Sequence, residues 1–140
     1  ESLGLDPAAS HHLFEFWSKT HDTFTGRISR SVPARSCLIL AVNPELAVPT
    51  VLSTSRHITQ GAVDLLKAEW TNDALTGSSK VVGNDPYEIR IAPNGKKLTA
   101  VTLGKDDQAA GVKAGFAEKD GMVLVTLTAP ANRTVNWRVK

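Results

Sequence analysis

One cysteine, Cys37, and one methionine, Met122, are all the sulfur this chain carries. A lone thiol makes no internal disulfide and no thiolate-built zinc cluster. No apolar run approaches the ~20 residues that span a bilayer, so no membrane partner is expected. No signal-peptide pattern is visible. Neither charge sign dominates: 16 Lys and Arg stand against 14 Asp and Glu, scattered along 140 residues. A nucleic-acid binder normally shows a basic stripe, so none is expected as a partner.

Catalytic signatures are missing as well. There is no Gly-x-Ser-x-Gly elbow, phosphate loop or dinucleotide fingerprint. His11 and His12 are adjacent, so a strand would point them to opposite faces. With His21 and His57 they read as solvated side chains rather than metal ligands. The run Gly104-Lys105-Asp106-Asp107-Gln108 lacks the alternating oxygen ligands of a calcium loop and reads as a solvated turn. Nothing positions a glycosidase-type carboxylate pair. The expectation is a chain with no catalytic residue, metal or cofactor of its own.

What is present is ordinary globular chemistry, with 41% hydrophobic and 21% charged residues. The length suits one domain or two very small ones. Short strands dominate. Period-two alternation predicts strands over 13–17, 27–32, 86–92, 112–116, 122–128 and 134–139. Residues 36–42 form a near-continuous apolar run, as for a strand buried on both faces, with Cys37 inside it as a small buried hydrophobe. Asn94-Gly95 predicts a hairpin turn with a return strand over 98–103, and Lys119-Asp120-Gly121 a second hairpin. Residues 62–70 carry both helix and strand signals. The aspartates, among them Asp64, sit mostly beside predicted turns. Such strands and turns predict an all-β, antiparallel β-sandwich of immunoglobulin-like type. A faint parallel, in which Trp17, Thr25-Gly26 and Pro33 are echoed by Trp70, Thr76-Gly77 and Pro86, is compatible with two small β-units in tandem. Pro44 and Pro49 make residues 44–50 the natural linker between units at 1–43 and 51–140.

Trp17, Trp70, Tyr87 and Trp137 are the candidate carbohydrate-binding residues, because exposed rings stack on sugar faces. The competing role is core packing. His57, in the phrase Arg56-His57-Ile58-Thr59-Gln60-Gly61, is expected to tie the linker to a sheet.

Three stretches together resemble a known family. Leu3-Gly4-Leu5-Asp6-Pro7 with Leu13-Phe14-Glu15-Phe16-Trp17 is similar to the segment after the catalytic barrel in α-galactosidase (melibiase)-type glycoside hydrolases. Phe24-Thr25-Gly26 with residues 32–40 resembles the closing strands of the C-terminal β-sandwich there. Residues 52–61, with Leu75-Thr76-Gly77 and 85–91, are similar to an extra β-domain of some bacterial members. The resemblance implies a noncatalytic accessory module that stabilises the barrel of the parent chain. It further implies polysaccharide or oligosaccharide as a second partner, and a secreted or periplasmic parent. A chain opening on Glu1 fits a piece of something longer. An autonomous carbohydrate-binding module and an immunoglobulin-like protein-interaction domain are the alternatives.

Overall fold

The computed structural model describes residues 4–140. Glu1 and Leu3 of the sequence reading lie outside the described residues. The first three strands are β1 (Ser10–Glu15), β2 (Thr20–Thr25) and, after a long loop over 26–39, β3 (Leu40–Pro44). They pair antiparallel in the order β2-β1-β3 and form sheet A. Residues 45–49 then carry the chain to β4 (Thr50–Thr54), β5 (Leu65–Thr71), β6 (Ala74–Val81), β7 (Tyr87–Ala92) and β8 (Val101–Leu103). A short helix, α1 (Lys105–Ala109), precedes β9 (Lys113–Lys119), β10 (Met122–Thr128) and β11 (Arg133–Val139). Sheet B has the order β4-β7-β10-β9 and sheet C the order β5-β6-β11-β8.

Turn chemistry sets much of this pairing. Asn72 and Asp73 (φ 49° and 53°) join β5 to β6, and Asp120 and Gly121 (φ 51° and 75°) join β9 to β10. Positive φ at both central positions gives the two-residue turn whose twist matches right-handed strands.

Sheets B and C face each other over the main core. Tyr87, Ile89 and Ile91 of β7 and Val123, Val125 and Leu127 of β10 meet Leu75, Val81, Val135, Trp137 and Val139 of sheet C. Each large side chain fully buried there contributes about 1.5–3 kcal/mol. Trp137 lies flat over the backbone of β6, where a Cβ on Gly77 would sit 2.1 Å from its ring. Its indole N–H donates to Ser79 Oγ at 3.0 Å.

The other side of sheet B is covered too. Leu52, Ala92 and Met122 form a second core with Phe14, flanked by Ala41 and Leu124. Sheet A is therefore a third layer on the sandwich. The Arg90 guanidinium, 3% exposed, lies 4.9 Å from the centre of the Phe14 ring at this junction.

The all-β antiparallel sandwich is as expected, but its strand order is not the immunoglobulin one. There, the first two strands pair in one sheet; here β4 and β5 lie in different sheets. Three local expectations also change, and one ambiguity is resolved. Residues 27–32 form no strand, because no neighbouring strand offers them a ladder. The apolar run 36–42 starts its strand only at Leu40, and Cys37 is exposed. Asn94-Gly95 does turn, with Lys96 N–H donating to the Pro93 carbonyl at 3.0 Å. It opens a crossover rather than a hairpin, since β7 is flanked by β4 and β10 while β8 pairs with β11. In the ambiguous stretch, left-handed Gln60 and Gly61 (φ 55° and 114°) precede a turn, and strand β5 begins at Leu65.

Candidate functional site

The four aromatic candidates do not come together. Tyr87 and Trp137 are 1% and 2% exposed and belong to the sandwich core. They cannot stack on a sugar, which corrects the sequence expectation for both. Trp70 is half-buried against the same core. Trp17 alone is open, 57% exposed in the turn after β1, with its ring edge-on to Phe16 at 5.0 Å. A flat multi-ring platform is absent among these residues.

The outer face of sheet A is a more substantial feature. Alternation along β1 sends His12 and Phe14 inward and His11 and Leu13 outward. Phe24 of β2 and Leu40 and Val42 of β3 join the outward set. With Leu5 and Ile28 they line a groove of about 330 Å³, rimmed by Asp6, His11 and Arg27. His11 stacks on Phe24 at 5.6 Å. Its Nδ1 lies 3.1 Å from the Ala9 carbonyl, so it donates there. Leu40 remains 39% exposed.

The inward side of sheet A carries a polar chain to the sandwich. His12 Nε2 is 3.0 Å from Asn94 Oδ1, and His12 Nδ1 is 3.0 Å from His21 Nε2. Asn94 Nδ2 donates to the Val48 carbonyl at 2.8 Å, which fixes the orientation of its amide. His12 then donates from Nε2 and accepts from His21 at Nδ1. Burial and the neighbouring His12 hold His21 below the usual histidine range, while Asp22 and Glu45 pull it the other way. Of the histidines read as solvated, His11 and His12 are buried and His21 is half-buried, all three hydrogen-bonded or ring-stacked, while His57 is exposed; they gather no metal set among the described residues.

Two further carboxylates anchor loops. Burial pushes Glu15 up, but hydrogen bonds from Ser18, Trp17 and Ile39 hold it below the usual carboxylate range. Asp64, 3% exposed, accepts from Thr54 Oγ1 at 2.6 Å and from the Tyr87 hydroxyl at 2.7 Å, both on Oδ2. Its Oδ1 has no partner among the described residues. Burial, together with the adjacent Asp64 charge, pushes the Tyr87 phenol above its ordinary range. The sequence marks Asp64 only as a residue beside a turn, because Thr54 and Tyr87 are 10 and 23 residues away along the chain.

Asp107 corrects another expectation. The 104–108 segment is a helical turn rather than a solvated one, with Asp107 buried, ion-paired to Arg133 at 2.9 Å and accepting from Asn136 N–H at 2.9 Å. His57 is exposed and only caps its own turn through Thr59. The tie to the earlier segment comes instead from Gln60, whose Nε2 donates to the Ile39 carbonyl at 3.1 Å. Compared with protein-family models, curated proteins and solved structures, the chain gives no match in any of the three.

Proposed function

We propose that the chain is a noncatalytic accessory β-module of a bacterial α-galactosidase-type glycoside hydrolase, packed against the catalytic barrel through the outer face of sheet A. One observation carries this reading: the apolar groove of Leu5, Leu13, Phe24, Ile28, Leu40 and Val42. Sheet B has both faces covered, by sheet C and by sheet A. Sheet A has one face covered by sheet B, and its other face is the apolar groove, whose floor residue Leu13 is buried while Leu5, Phe24, Ile28 and Val42 are half-buried and Leu40 is exposed. Covering apolar area is worth roughly 25 cal/mol per Å², so this face is where a further layer gains most. The resemblance of residues 3–17 and 24–40 to the segment following such a barrel supplies the occupant.

The coding sequence upstream of the Glu1 codon tests the reading directly. A (β/α)-barrel is expected there, and an unrelated or absent upstream domain overturns it. The chain by itself is expected to turn over no α-galactoside; measurable hydrolysis would contradict the noncatalytic role.

A second reading, carbohydrate binding, is favoured by the exposed Trp17 ring. Calorimetric titration with galactosides and plant polysaccharides should then show weak binding that Trp17→Ala removes. No binding by the unaltered chain sinks it.

A further inference from the structure

The sandwich has a strand edge that fits a second copy of itself. β5 is the outer strand of sheet C and is mostly exposed. Thr71 and Ala74 flank the two-residue turn to β6, so they form a hydrogen-bonded pair. By alternation, the pairs Glu69 with Thr76 and Lys67 with Ser78 are hydrogen-bonded as well. The backbone N–H and C=O groups of Ala68 and Trp70, and the C=O of Leu66, therefore point away from the sheet, toward the free edge.

The other edges of the sandwich are guarded. β8 has only three residues, and β9 carries lysine at both ends. At β4, Asn43 Nδ2 donates to the Leu52 carbonyl at 3.2 Å, so sheet A shields that edge. In β5 the bulge between Leu65 and Lys67 is confined to the start, leaving 67–71 regular. Its one basic guard, Lys67, lies two residues from Glu69 on the same face, and the two are ion-paired at 2.7 Å.

We propose that two copies of this chain associate through antiparallel β5–β5 pairing centred on Ala68, joining their C sheets. This register sets Ala68 opposite Ala68 of the copy in a hydrogen-bonded pair and brings the Trp70 N–H to the copy's Leu66 carbonyl. Lys67 falls opposite Glu69 of the copy in a non-hydrogen-bonded pair, where side chains approach most closely. The twofold axis repeats the match, so four charges alternate in sign around the axis. The exposed Leu66 lands beside the copy's half-buried Trp70. The lysine that would repel a foreign edge is thus matched in this register, and the contact is isologous and closed. Nothing in the contact uses sheet A, so it stands apart from the accessory-module reading.

Sedimentation equilibrium of the whole chain, over about a hundredfold range of concentration reaching millimolar, tests the proposal. A monomer–dimer equilibrium is expected. Lys67→Glu sets like charges opposite each other and should weaken dimerisation about tenfold or more, and adding Glu69→Lys should restore it to within about threefold. Ala68→Pro removes an N–H aimed at the copy rather than at β6 and should abolish the dimer with the near-UV spectrum unchanged. If that variant fails to fold, the charge-swap pair decides. A chain that stays monomeric throughout, or a dimer indifferent to Lys67→Glu, overturns the proposal.

Discussion

Tyr87→Phe removes one oxygen from the interior and leaves the ring in place. In the native fold that oxygen donates to Asp64 Oδ2 at 2.7 Å, and both residues are almost fully buried. A hydrogen bond to a charged group contributes about 1.5–3 kcal/mol, and here the carboxylate that loses it stays out of water. Asp64 has little in reserve. Its Oδ1 is already unpartnered, and Thr54 Oγ1 is the other donor on Oδ2. The expected loss is therefore about 2 kcal/mol, with only a minor packing term because no carbon is removed. At this chain length each kcal/mol lowers the melting temperature by roughly 3 °C, so calorimetry should show a drop of about 6 °C. Thr54→Val should cost a similar amount, and the double variant more than the sum, because it strips Oδ2 of both donors. A Tyr87→Phe chain within about 0.5 kcal/mol of the native stability would refute the view that this pair pins the 55–64 loop across the sandwich.

Gly77→Ala forces a methyl group into the Trp137 ring and should cost roughly 3 kcal/mol by urea unfolding, at the upper end of overpacking penalties. His21 is held below the histidine range, so the unfolded chain takes up its proton first as pH falls. Stability should be full above about pH 6.5 and decline below it, and His21→Gln should flatten that decline in unfolding curves at stepped pH. Glu15 is held below the carboxylate range, so its contribution is present above about pH 4.3 and is lost as pH falls through its lower folded value. Glu15→Gln should lower stability near neutrality and narrow the gap to the native chain in acid, read from the same unfolding curves.

Strands whose signals were local were legible in the sequence. β10 runs from Met122 to Thr128 as its alternation predicts, and β11 buries Val135, Trp137 and Val139 on one side. The Asp120-Gly121 turn needed only its own two residues. What the sequence could not show was partnership. Residues 27–32 alternate as cleanly as a strand but meet no neighbouring ladder. Asn94-Gly95 makes its turn, yet the destination of the next segment depends on β4 and β10 already flanking β7. The apolar run 36–42 suggested burial on both faces; its half that becomes β3 instead has Ala41 turned to the second core and Leu40, 39% exposed, on the grooved outer face. At the candidate sites, composition flagged the rings but not their burial. Tyr87 and Trp137 went to the core because each has a polar tip with a buried partner, Asp64 and Ser79 respectively. The groove on sheet A left no motif, since its lining is drawn from separate segments of the first 42 residues.

The proposed function has the outer face of sheet A packed on a catalytic barrel. Hydrogen–deuterium exchange on this chain alone and on a protein that joins it to the proposed barrel is the direct test. The account predicts that amides of β2, β3 and the Arg27-Ile28 segment gain protection in the joined protein, while those of β10 and β11 exchange alike in both. Equal exchange of β2 and β3 in the two proteins would contradict it.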